Sequence, residues 1–274
     1  WGDEWYPDLL AESDDAPAFL FAVGDLAALW RPQIAMVGSR NASRDGQQIA
    51  GEFAYELATR GFVITSGMAK GIDATVHDAA LRAGGQTVAV LGTGPDQVYP
   101  KSHWQLAQRI VQSGALVTEY PPGVGAHSGH FPTRNRIISG LSLGVLVVEA
   151  GLKSGSLITA RLAAEQGREV LAIPGPVFHP LSQGCHQLIR EGARLAGNID
   201  HILEALGPLA AQLADRLRHA LAQEPARSPL ESEQASPQVS DLSTDPRIAA
   251  VQPISAQSSS LYPDLSDLDE EYRS

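Results

Sequence analysis

Glycine, hydroxyl and cationic side chains recur together along this chain, a grouping suited to holding phosphate. Gly38-Ser39-Arg40 sets a close-approach residue beside a hydroxyl and a guanidinium that can make two parallel bonds to a phosphate. The same triplet would equally serve as a helix cap with an exposed arginine. Ser66-Gly67 and Lys70-Gly71 bracket a second short loop, with Asp73 placed to cap the amides that follow. Lys153-Ser154-Gly155-Ser156 has the ingredients of a phosphate loop, or of a helix cap. It lacks the order G-x-x-x-x-G-K-[ST], because Lys153 precedes Gly155, so ATP hydrolysis is not indicated. The densest stretch, SGHFPTRNRIISG at 128–140, gathers His130, Phe131, Arg134, Asn135 and Arg136 ahead of an apolar run. It is either an ion-pair knot or a grip on an anionic partner.

Other chemistries have less behind them. Asp73 and His77 stand four apart, on one helix face, and with Ser66 could imitate a hydrolytic triad. An ordinary surface Asp–His pair accounts for the same spacing. The eight histidines are scattered, no HExxH occurs, and a single cysteine, Cys185, can build neither a zinc cluster nor an internal disulfide. The expectation is no catalytic residue, no metal and no cofactor. Glu149, at the end of an apolar run, reads as the buried partner of Arg134 or Arg136.

The grip residues need a scaffold that brings them together. Seven short runs rich in Val, Ile and Leu read as strands: 18–23, 34–38, 62–67, 87–92, 115–120, 143–150 and 169–175. Continuous apolar runs of this length suit strands covered on both faces. Amphipathic stretches such as RDGQQIAGEFAYELATR and GSLITARLAAEQG alternate with them. The pattern predicts an α/β fold, Rossmann-like and doubly wound, with a mostly parallel sheet and helices on both faces. In such a sheet, ligands sit beyond the carboxyl ends of the strands, where all the glycine-bearing loops would fall. One shared anion-binding rim is the central expectation.

The formal charge of −11 over 274 residues argues against a polyanionic partner only until its distribution is read. Residues 1–30 hold seven acids and no Lys or Arg, whereas 31–200 hold 15 Lys and Arg against 12 Asp and Glu. A phosphate meets that local balance rather than the total. We expect an acidic lead-in with a first strand at 1–30 and the Rossmann-like core at 31–206. At 207–274 a helix near 209–223 precedes an acidic Ser/Pro-rich linker or disordered tail. No apolar run approaches the ~20 residues of a membrane helix, no export leader is recognisable, and the lone cysteine fits the cytoplasm. The start at Trp1, without a methionine, suggests trimming from a longer protein.

Six blocks in order, GSRNASRDG, SGMAKGIDATVHDAAL, TVAVLGTGPDQVYP, FPTRNRIISGLSLGVLVVEA, KSGSLITA and REVLAIPGPV, resemble the signatures of the DNA processing protein A family across about 18–200. The resemblance implies a Rossmann-like core that forms homodimers, binds single-stranded DNA and helps load a RecA-type recombinase during natural transformation, without established catalysis. It places Arg40, Lys70, Phe131, Arg134, Asn135 and Lys153 near the DNA face, with phosphate held by Arg40 and loop amides. Phe131 would stack on an unpaired base, and of the two arginines Arg134 would meet DNA while Arg136 serves the structure. The family's small helical domain before the core and winged helix after it are not evident, and the ending LSDLDEEYRS falls short of where the latter would begin. Two departures stand out. His186 replaces a usual asparagine, and only His127 and His130 stand where a basic residue usually precedes the phenylalanine. Binding is therefore expected to be weaker at pH 8 than at pH 6. A rival reading, a nucleotide-processing enzyme similar to the phosphoribohydrolases of the same architecture, meets Thr159 where the catalytic glutamate should stand. A nonspecific nuclease would need paired acids for two metals, and no such constellation stands out.

Overall fold

The computed structural model describes residues 6–223, and the tail expected beyond Glu224 lies outside them. Strands β1 (Phe21–Gly24), β2 (Gln33–Val37), β3 (Val63–Ser66), β4 (Thr87–Val90), β5 (Ala115–Thr118), β6 (Gly144–Val147), β7 (Glu169–Ala172) and β8 (Arg194–Leu195) form one sheet. Their order is β1-β5-β4-β3-β2-β6-β7-β8, parallel throughout except where β1 runs antiparallel to β5 at the edge. The two-residue β8 was not expected; Arg194 and Leu195 carry no strand signal of their own.

Alternation along β2 explains why the apolar runs are unbroken. Ile34 and Met36 enter a core shared with α2 (Arg44–Thr59), α3 (Ile72–Arg82) and α8 (Ile199–Gln223). Ala35 and Val37 enter another, shared with α1 (Asp8–Ala11), α5 (His130–Gly140), α6 (Gly155–Glu165) and α7 (Gln183–Arg190). Ala107 and Ile110 of α4 (Trp104–Ser113) cover Ala89, Leu91 and Leu116. Helices thus cover both faces, and neither face of a central strand can carry a polar side chain cheaply.

Two boundaries differ from expectation. Residues 6–30 are no separate lead-in: Leu10 is fully buried in the core and β1 bonds to β5 along its length. Of the run 18–23, only its second half pairs, extended to Gly24. The helix expected near 209–223 begins at Ile199 and passes through Pro208, across the boundary placed at 206/207. Proline removes one helical bond, yet Ile202, Leu206 and Leu213 continue one buried stripe across it, and that burial outweighs the loss.

Candidate nucleic-acid interface

Parallel strands put the exits of β2, β3, β4, β5, β6 and β7 on one edge of the sheet. β2 lies between β3, its successor in the chain, and β6, reached only after a long excursion, so the switch point falls between β2 and β6. The loops after β2 and β3 interlock. Ile72 N–H donates to the Ser39 carbonyl at 3.2 Å, and a side chain at Gly71 (φ +75°) would run into the Ser39 and Arg40 carbonyls. Arg40 and Lys70, both exposed, therefore ride on one locked pair of loops.

The α5 segment joins this pair. The Arg40 guanidinium carbon lies 5.9 Å from the centre of the Phe131 ring, a cation–π geometry. Phe131 is half-buried, packs on Tyr99 at 5.4 Å between ring centres, and fills the space beside Gly92. Next to it His130 stacks on Tyr120 at 4.0 Å and donates from Nδ1 to the Gly92 carbonyl. His127 is exposed, its ring 5.1 Å from that of His130, while His186 is tied to the Gly175 carbonyl. Asn135 donates to the Gly155 carbonyl at 3.5 Å, linking α5 to the first residue of α6. Lys153, on the loop after β6, is exposed and also borders a cleft between α6 and α7.

Arg134 does not face outward as expected. It is 5% exposed, donates to the Val90 carbonyl, and sits against Gly67, where a side chain would strike both its guanidinium and the Asp73 carboxylate. The reason is helical phase: Arg134, Ile137, Ile138 and Leu141 fall on one buried stripe. That spacing was readable in the sequence. Burial pushes the Arg134 pKa down to about 10, with the Asp73 carboxylate opposing the shift, and burial pushes Asp73 up against the pull of Arg134. Arg136 is structural, as expected, but through another acid: it makes two bonds to Glu119, at 2.6 and 2.7 Å, and approaches Asp15. The Glu119 hydrogen bond, before its charge, raises the Arg136 pKa.

Glu149 partners neither arginine. Its oxygens accept from Ser43 N–H at 2.8 Å and Ser43 hydroxyl at 2.6 Å, at the N-terminus of α2, where Gly46 leaves room for them. The protein thus places its own carboxylate beside that helix end, while the Ser43 hydroxyl accepts from Gly46 N–H. Asp73 and His77 do not pair on the surface. Both are buried; Asp73 Oδ2 accepts from Ala69 N–H, which precedes it, rather than capping the amides that follow. His77 bonds to Thr87 and the Gly67 carbonyl. Ser66 is likewise fully buried, its hydroxyl donated to the Met36 carbonyl at 2.7 Å. Ser39, 8% exposed, accepts from Asn41 N–H, and Ser154 caps α6 through Ser156 N–H while bonding its hydroxyl. Among the described residues, no group of three or more His, Cys, Asp or Glu could hold a metal ion, and no helix is long and apolar enough to cross a membrane.

The expected residues therefore divide into two shells. Arg40, Lys70, Phe131, Asn135 and Lys153 lie along the rim, with Gly38, Gly71 and Gly155 shaping it. Ser39, Ser66, Gly67, Arg134, Ser154 and Ser156 brace it from inside. Tyr99, Tyr120, Ser43 and Gly92 were missed, since only the packing of α5 against the β4 exit gives them a role.

Residues 1–207 match the family model described as DNA recombination-mediator protein A. Protein Smf of Escherichia coli is 52% identical over 204 residues, which cover 74% of this chain and 54% of that protein. DNA processing protein DprA of Streptococcus pneumoniae is 47% identical over 201 residues, covering 73% of this chain and 71% of that protein. The X-ray structure of DNA processing protein A from S. pneumoniae gives a TM-score of 0.72 at 46% identity, covering 74% of this chain and 72% of that one. DNA processing protein A from Helicobacter pylori, solved to describe its single-stranded DNA binding mode, gives 0.68 at 32% identity over 73% of this chain and 92% of that one. The chain spans about half the length of the E. coli relative.

Proposed function

We propose, because this chain belongs to the DNA recombination-mediator protein A family, that it binds single-stranded DNA along the carboxyl rim of its sheet and passes it to a RecA-type recombinase. The observation that carries this reading is the Arg40 guanidinium set over the Phe131 ring on loops locked to the one bearing Lys70. A cation beside an aromatic face offers a phosphate and an unpaired base their separate partners at one point. Duplex DNA keeps its base faces stacked, so the single strand is preferred, with little sequence discrimination. Cations supply the phosphate affinity, since the Glu149 carboxylate, bonded to Ser43 at the cap of α2, would repel a phosphate from that helix end. The protein acts in the cytoplasm as a homodimeric binding protein, without catalysis, cofactor or membrane attachment.

A salt titration of binding to short single-stranded and duplex oligonucleotides tests this. Single strands should bind more tightly, and Arg40→Ala should flatten the slope of log affinity against log salt by about one phosphate contact. Equal affinity for the two forms, or an unchanged slope in the variant, removes the reading.

A further inference from the structure

We propose that Phe178 is a second base-stacking platform, taking an unpaired base where the single strand leaves the rim beyond Lys153. The inference rests on the rim being the DNA path. Phe178 is 96% exposed, well beyond its neighbour Val177 at 68% and beyond every other large apolar side chain among the described residues. A phenyl ring wholly in water contributes nothing to the fold and loses the free energy that covering it would yield.

The loop presenting it is fixed in place. Gln183 Nε2 donates to the Val177 carbonyl at 2.6 Å, His186 to the Gly175 carbonyl at 3.0 Å, and Pro174, Pro176 and Pro180 stiffen the segment. An aromatic ring held out by a stiff loop gives up little conformational entropy when a base covers it. Because β7 runs parallel to β6, this loop leaves the same edge as the loop carrying Lys153. The two are strapped together: Ala150 N–H donates to the Leu181 carbonyl at 2.7 Å, and Gly184 N–H to the Ala150 carbonyl at 2.8 Å.

Charge favours an anionic partner over a neutral ligand here, and the bare ring favours one with base faces to stack, a nucleic acid, over an acidic protein surface. Residues 150–164 and 170–190 contain no Asp or Glu, whereas Lys153 and Arg161 lie in the first stretch and Arg190 in the second. From the β4 exit, beside Phe131, to the β7 exit is four strand spacings, roughly 19 Å. That length holds about five or six nucleotides at the stacked rise of ~3.4 Å. One strand can thus reach both aromatic rings with Arg40, Lys70 and Lys153 between them.

The test measures oligo(dT) binding by the full chain carrying Phe178→Ala, Phe178→Tyr or Arg40→Ala. Phe178→Ala should weaken binding at least about fivefold with the salt slope unchanged, and Phe178→Tyr should bind as wild type, because stacking needs a ring and not a charge. In Phe178→Trp, added oligo(dT) should quench the new indole emission. The side chain is exposed, so these variants keep the fold. If Phe178→Ala binds like wild type while Arg40→Ala does not, the platform is overturned and the rim reading stands. If wild type fails to bind single strands, the rim itself is lost. Unchanged DNA affinity with an altered sedimentation coefficient would assign Phe178 to a protein contact and overturn the proposal.

Discussion

Arg40 and Phe131 form one unit, so their contributions to binding overlap. Removing the ring takes away both a stacking face and the surface that orients the guanidinium at 5.9 Å. The double variant Arg40→Ala/Phe131→Ala should therefore lose less than the sum of the single losses, by about 0.5–1 kcal/mol in a double-mutant cycle. Strict additivity would mean the two groups act separately. His77 makes a different case, since its chemistry serves the fold. Its Nε2–H donates to the Gly67 carbonyl at 2.6 Å, and burial pushes its pKa down to about 4 from 6.5. Between those values the unfolded chain holds a proton that the native state excludes, so stability is complete above about pH 6.5 and falls as pH drops toward 4. The full window is worth roughly 3 kcal/mol. Melting temperatures from pH 8 to pH 4 should decline less steeply below pH 6.5 in His77→Gln than in wild type, and an unchanged decline would assign it to other groups.

At the scale of elements, the rim depends on loops that touch through backbone. Gly71 combines φ +75° with carbonyls of Ser39 and Arg40 where a side chain would go, whereas Gly84 has φ +69° and open space. Gly71→Ala should cost about 1–3 kcal/mol in chemical denaturation and also weaken DNA binding, because the loop carrying Arg40 must move. Gly84→Ala should show only the backbone strain and keep wild-type affinity. Equal affinity in both variants would mean the interlock does not position Arg40. Most elements were legible because two-sided burial writes an unmistakable apolar run, as in IAMVG and TVAVLG. The edges were not. β1 is buried less fully than the inner strands, β8 is two exposed residues, and α8 passes a proline that local preference would take as a stop.

For the whole molecule, charge placement matters more than the total. Residues 224–274 hold 3 Lys and Arg against 10 Asp and Glu, a balance of −7 within the overall −11. The chain up to Gln223 forms one compact unit, so ending it there should preserve a single cooperative unfolding transition. Such a chain should bind oligo(dT) more tightly at low salt, with the difference vanishing near 1 M salt as the Debye length falls to about 3 Å. Unchanged low-salt affinity would mean the acidic segment does not repel the ligand.

The amino-acid sequence alone determined the layered α/β architecture and the cluster of glycine-bearing loops at one edge, because strand period, apolar run and turn chemistry are local properties. It also carried the helical phase that buries Arg134, four residues before Ile138. Only the tertiary structure decided which partners the other charges take. Glu149 holds Ser43, the cap of α2, from 106 residues away, and Arg136 is claimed by Glu119 and Asp15 from two separate segments. A charged side chain takes whichever partner the fold brings within bonding distance, and that distance is set by packing between elements remote in the chain.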